Sequence, residues 1–478
     1  MRARAPLSLA LALAALGTAV PAFGYPLMAP RPVPDAIAGP TDPHVAATFY
    51  NPAALGYLRG IHVFVDGGAR ANLGSIRRDS GGSAPIGWAN FDGFVGITWD
   101  LGTETLNLGL AIYTPFTDLS SYAPTGPMRF HEQHQSFATL EETLAGAWQI
   151  ERHVAVGASL VVHETWIDQA FARDLAPAGG SAVVSQPNAL CGGAPCGYEN
   201  PLAEQQIGLR GFGYGFGFAV GLIVRPDDRV WIGLSYTSHQ AGGDVILENN
   251  RRARVTTAAG QMQPCRDAAG NPTANCFGDD RVLTLLPEMI QAGVRVVINP
   301  RLDLEASWRF IHYGARVATD VSLQGGNLGA ANIPPQFLID RGLQNSYAVE
   351  VSTRHLVSPA LRLSPSLTFE TSAIAPSAVT PAAIDAPKLD AALTVEWRAW
   401  KAGSTALFIG AHVGGTAYFL GHVRSRFDAA AETACVDASY SLEACGKQNV
   451  GDALPSASGD YTLFVLNAGA ALGLVYQP

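Results

Sequence analysis

The sequence predicts an all-β protein, a 14-stranded antiparallel transmembrane β-barrel. Three observations carry that expectation. Residues 211–224 alternate strictly: Phe212, Tyr214, Phe216, Phe218, Val220, Leu222 and Val224 are separated by small residues, among them Gly211, Gly213, Gly215, Gly217, Ala219 and Gly221. A period of two sends successive side chains to opposite faces of an extended strand, here one greasy and one nearly bare. The dinucleotide fingerprint G-x-G-x-x-G needs a helix after its glycines, whereas this alternation runs on. Second, only 15% of the 478 residues are charged and 51 are glycine, yet no apolar run beyond the N-terminus approaches the ~20 residues of a spanning helix. Third, short and long connections alternate between the apolar-periodic stretches, the pattern of an outer-membrane barrel.

Taken in order, residues 1–24 read as a signal peptide. Arg2 and Arg4 supply the charged start, Leu7 to Leu16 the apolar centre and Ala22-Phe23-Gly24 a small-x-small cleavage site. The chain is then exported. The mature start is rich in proline and reads as irregular. Asp42 followed by Pro43 predicts a helix start, with a cap and a proline at the first helical position. Asn51-Pro52 ends that short helix.

The strands follow. The first covers residues 61–74, with Ile61, Val63 and Val65 opposite His62, Asp66 and Arg70, and the second covers 90–101 with Phe91, Val95, Ile97 and Trp99 on one face. Leu106 to Ile112, Leu140 to Ile150 and Val154 to Val162 give the next three, and residues 211–224 the sixth. Eight more centre on Ile232, Val294, Leu304, Val349, Leu367, Val395, Ile409 and Leu472. Connections after the even strands are tight, as at Gly102-Thr103, Glu151-Arg152 and Asn299-Pro300. Those after odd strands are longer, reaching about 168–210, 240–284, 314–343 and 420–459. Fourteen strands enclose a lumen too wide for wall side chains alone to fill, since about eight is the filled size. The opposite face of several strands carries Asp303, Glu305, Arg309, Glu350 and Arg354, charges that belong around a wet or plugged interior, so the apolar face meets lipid.

Six cysteines fall in three close pairs: Cys191 with Cys196, Cys265 with Cys276, and Cys435 with Cys445, each inside one long loop. This fits local disulfides in an oxidising compartment. The spacings match no zinc site, and no metal or cofactor is expected. The net charge of -9 argues against a nucleic-acid partner.

Residues 42–60, running directly into the first strand, resemble the FadL/TodX family of outer-membrane transporters for long-chain fatty acids and hydrocarbons. Asp42, Pro43 and then Phe49-Tyr50-Asn51-Pro52-Ala53 stand where that family has its short helix and Asn-Pro-Ala segment. Tyr113-Thr114-Pro115-Phe116, the stretch 211–224 and Leu286-Pro287-Glu288 are similar to the family's pattern as well. The resemblance implies residence in the outer membrane of a Gram-negative-type bacterium, with residues 25–60 as a lumenal hatch and 61–478 as the barrel. It also implies a monomer in outer-membrane lipid that takes up hydrophobic small molecules passively. Such molecules would be captured at external loops, pass a pocket blocked by the hatch and leave through a gap beside the third strand.

Phe116, Tyr122, Phe130 and Phe137 are the candidate capture surface, weighed against ordinary loop packing. Arg70, Arg295, Arg309, Arg362 and Arg398 face the lumen and could hold a carboxylate. Salt bridges to Asp303, Glu305, Glu350 and Glu396 are the plainer expectation for each, and Arg309 and Arg362 are taken as the substrate-binding candidates. A general diffusion porin and an outer-membrane lipid-modifying enzyme are the alternatives. No G-x-S-x-G or H-E-x-x-H motif is present, and His131-Glu132-Gln133-His134 has the wrong spacing.

Overall fold

The computed structural model describes residues 31–34, 37–174, 191–194, 199–240, 245–257, 265–266, 269–284, 286–315, 318–328, 335–425 and 457–477. The expected signal peptide lies outside them. So does the third expected disulfide, since neither Cys435 nor Cys445 is among the described residues. The wall consists of β1 (Ile61–Arg78), β2 (Ser83–Trp99), β3 (Leu106–Ser121), β4 (His134–Glu151), β5 (Val154–Asp174), β6 (Glu204–Val224) and β7 (Val230–Ser238). It continues with β8 (Met289–Asn299), β9 (Leu302–Ile311), β10 (Ser346–Ser358), β11 (Leu361–Glu370), β12 (Lys388–Ala402), β13 (Thr405–Tyr418) and β14 (Gly459–Tyr476). Each strand pairs antiparallel with its neighbour, and β1 closes the ring on β14 from Ile61↔Tyr476 to Arg78↔Gly459. Closure leaves the sheet with no end strand, as a lipid-facing sheet requires.

The alternation sorts as expected. Leu160, Phe216 and Tyr214 project outward at 68%, 66% and 62% exposure, while the glycines of β6 face the lumen. Trp99, Trp148, Trp397 and Trp400 are exposed near the short turns, as an interfacial aromatic belt.

Two expectations about connections are corrected. The link after β1 is a four-residue turn rather than a long loop, because Gly81 and Gly82 adopt the left-handed conformation (φ 101° and 88°) that a tight reversal needs. The long segments after β7 and β9 also contain strands of their own. Val245–Thr257 pairs with Asn275–Thr284, which pairs with Ala318–Gln324, and that pairs with Gln336–Asp340. The first half of β6 joins this extension through Gln205↔Thr257 to Gly208↔Arg254. The wall thus rises beyond the barrel on one side as a cap.

Residues 37–60 pack inside the barrel. The helix expected from Asp42 is shorter: α1 spans Ala47–Tyr50 with Ala46 as its N-cap, followed by a 3-10 helix at Pro52–Tyr57. Asp42 does not cap it. Its carboxylate instead accepts from Gly39 N (3.0 Å) and ion-pairs with Arg295 (2.8 Å) and Arg354 of the wall.

Candidate functional site

Asn51 is the hinge of the lumenal segment. Its backbone N–H closes α1 on Ala47 O, its Oδ1 accepts from Ala53 N (3.1 Å), and its Nδ2 donates to Pro40 O (2.8 Å) and Leu222 O (3.2 Å). One fully buried amide therefore ends a helix, starts the next at Pro52 and ties both to β6. Tyr50 donates to Val33 O (2.6 Å), and its carbonyl accepts from Ser235 Oγ (2.7 Å) and Gln291 Nε2 (3.1 Å). Ala53 is fully buried. Glycines make this seat possible: a Cβ on Gly157 would strike the Pro52 and Ala53 backbone, one on Gly221 would strike Asn51, and one on Gly233 the Pro40 carbonyl. Pro43 lines a cavity beside a cluster of charges. There Arg354 meets Asp42, Glu305 and Asp303, and Glu305 also accepts from Thr41 N (3.2 Å).

The wall beside α1 is irregular. Backbone pairing of β2 with β3 runs only from Trp99↔Leu108 to Phe94↔Tyr113, although both strands continue. The β3–β4 register shifts between Tyr113 and Phe116, around Pro115, which has no N–H to give. Beyond that point side chains replace the ladder. Gly93 N donates to Thr114 Oγ1 (3.0 Å), Leu119 N to Asn90 Oδ1 (2.7 Å) and Thr117 Oγ1 to Asp92 Oδ1 (2.9 Å). Arg70 reaches Asp92 (2.7 Å) from β1. Aromatic rings gather where the ladder stops: Phe94 stacks on Tyr113 (5.6 Å), and Phe49 of α1 meets Tyr113 edge-on (5.5 Å).

The four aromatic candidates are all buried. Phe116 and Phe137 share an apolar cluster under the cap with Ile167, Leu209 and Leu247. Tyr122 belongs to a second cluster, packs on Trp88 (5.4 Å) and donates to Pro381 O (3.0 Å). Phe130 lies under the Arg129 guanidinium (4.2 Å). All four are interior, Phe116 and Phe137 under the cap, and they do not form one exposed patch. The arginines divide as well. Arg309 is buried against Glu350 (3.1 Å), whereas Arg362, partly open, pairs with Glu396 (2.8 Å). Arg70 and Arg295 are held by Asp92 and Asp42.

Sequence reasoning missed one group. Glu141 of β4 and His239 beyond β7 meet at 2.8 Å, both fully buried, with His163 of β5 also buried near them. These residues are distant in sequence, and only the ring of strands assembles them. Among the described residues no cluster is suited to a metal ion. Of the three expected disulfides, the one between Cys265 and Cys276 is formed. Cys191 is disulfide-bonded too. Cys196, Cys435 and Cys445 lie outside the described residues.

Residues 35–395 match the family described as Outer membrane protein transport protein (OMPP1/FadL/TodX). The chain belongs to that family. It is an outer-membrane transport protein. Among solved structures it is similar to a Pseudomonas aeruginosa FadL homologue, with a TM-score of 0.72, 14% identity and coverage of 96% of this chain and 99% of that one. The Pseudomonas putida toluene transporter TodX gives 0.62 and 12%, covering 91% and 95%. The Ralstonia pickettii toluene transporter TbuX gives 0.60 and 12%, covering 96% and 100%. At these identities the likeness establishes the fold. No curated protein matches the sequence.

Proposed function

We propose that the protein is a monomeric, passive uptake channel for hydrophobic small molecules, either long-chain fatty acids or aromatic hydrocarbons. Residues 25–60 act as its hatch, and a lateral exit into the membrane lies between β2 and β3. The observation that supports the exit is the end of the β2–β3 ladder at Phe94↔Tyr113, where the hatch's Phe49 packs. A wall held there by side chains opens at the cost of a few polar contacts, whereas opening a full ladder would strand backbone groups in lipid. Transport needs no chemistry and no energy source, because each methylene moved out of water gains about 0.8 kcal/mol. The toluene transporters among its structural neighbours support the substrate class.

The test is a disulfide lock. Gly93→Cys combined with Thr114→Cys would tie β2 to β3 just above the last backbone pair, in cells taking up labelled oleate or toluene. Uptake should stop on oxidation and return on reduction, with the unsubstituted protein treated identically as control. Undiminished uptake through the locked protein would remove the lateral exit, and absence of uptake of both compounds without the lock would remove the transport reading.

A further inference from the structure

The hatch is seated unevenly. Against β5–β7 it lies directly on glycines, but at the periplasmic end it leaves two cavities, one of about 280 Å³ lined from β8 to β11 and one of about 200 Å³ lined from β11 round to β1. They share Ile37, His44 and Arg362, so they adjoin. Together they reach the roughly 300–1,000 Å³ of small-molecule sites. Their chemistry is graded. The smaller has an apolar wall that includes Val45, Phe64, Phe408 and Val475, with His62, Ser364, Thr394 and the Arg362–Glu396 pair as its polar part. The larger is floored by the exposed β8–β9 turn, Asn299-Pro300-Arg301, and opens to the periplasm.

The charges around the larger cavity are unevenly matched. Asp42, Asp303 and Glu305 all converge on Arg354, and Asp42 also holds Arg295. Arg362 has Glu396 as its one hydrogen-bond partner among the described residues, and its Nε has none. The Arg301 guanidinium has no ion-pair partner among the described residues. Two arginines with spare donors thus stand at the mouth of a cavity whose far end is greasy.

We propose that this is a binding site for an amphipathic carboxylate on the periplasmic side of the hatch. The carboxylate would sit between Arg301 and Arg362, and the alkyl chain would run up against Phe64 and Phe408. A guanidinium offers a planar pair of donors that matches a carboxylate, and the charge-assisted bonds are stronger than neutral ones. The chain gains by leaving water. A plain hydrocarbon leaves the arginines unanswered, so the site selects acids. The site's place in a transport path rests on the uptake reading above, but the binding itself does not.

The experiment uses the full protein in lipid nanodiscs, which keeps detergent out of the cavity. A dodecanoate carrying a diazirine at its tail end is photolysed on the protein, and labelled peptides are mapped by mass spectrometry. The dodecanol analogue is the paired probe. The acid should label peptides holding Phe64 or Phe408, and the alcohol should not. In Arg301→Gln/Arg362→Gln that labelling should fall about tenfold or more, consistent with loss of charge-assisted hydrogen bonds, while migration as a heat-modifiable folded barrel is unchanged. Arg362→Lys, which keeps the charge, should retain part of the labelling. Equal labelling by acid and alcohol, labelling confined to residues under the cap, or undiminished labelling in the folded double variant would each overturn the proposal. Labelling without uptake by cells would sink the transport reading and leave the site standing. Uptake of dodecanoate with no labelling here would sink the site alone.

Discussion

Asn51 and the glycines beneath it are one device read from two sides. The amide makes three side-chain hydrogen bonds at full burial, and Gly157, Gly221 and Gly233 let the backbone of the lumenal segment come close enough to make them. Losing a buried hydrogen-bonding partner costs about 1–3 kcal/mol per stranded group, and forcing a methyl into a filled contact costs about as much. Asn51→Ala and Gly221→Ala should therefore both loosen the hatch. In planar bilayers each should show larger or more frequent conductance steps than the unsubstituted protein, with the barrel still folded. Gly81→Ala would be a poor control because its φ of 101° penalises any side chain. Gly87, with open space around it, is a sound one, and Gly87→Ala should leave conductance as it was.

At the scale of an element, the loop joining β3 to β4 carries a buried acid. Glu132 is fully buried, and that burial, reinforced by Asp118 of β3, pushes its carboxyl from the usual 4.5 up to about 8, against the opposing pull of Ser120 and Arg341. The folded form therefore holds this proton more tightly than the unfolded chain. Its contribution to stability is fully present below about pH 4.5 and is lost as pH rises through about 8. Glu132→Gln mimics the protonated acid. Thermal unfolding followed at pH 5 and pH 8.5 should show the unsubstituted protein losing more stability than the variant over that interval; parallel losses would mean that Glu132 titrates normally. The sequence showed His131-Glu132-Gln133-His134 only as a polar loop, because burial against groups as distant in the chain as Arg341 leaves no local trace.

For the whole molecule, the controlling fact is that the wall separates two solvents. Leu160 projects outward at 68% exposure and Ser159 beside it is buried inward. An arginine on the lipid face near mid-membrane costs about 2–4 kcal/mol. Leu160→Arg should lower the stability measured by reversible urea unfolding in lipid bilayers by that order. An unchanged midpoint would mean that this part of β5 stands clear of the membrane.

The sequence by itself determined the barrel: strand number, alternation, which face meets lipid and which end has the tight turns. These properties are local, since side-chain period and turn chemistry are written in a few consecutive residues. It also placed the Asn51-Pro52 break, because proline ends a helix whatever surrounds it. Only the tertiary structure decided what Asp42 does, since its partners Arg295 and Arg354 come from strands more than 250 residues away. The same holds for the buried meeting of Glu141 with His239, and for the interior position of Phe116, Tyr122, Phe130 and Phe137. It holds too for the separation of Arg309, locked on Glu350, from Arg362, which borders a cavity. Each of these depends on which strands the closed ring makes neighbours and on where the lumenal segment leans. A period of two assigns a side chain to the inside of a barrel, but its partner there is chosen by the register of the whole ring.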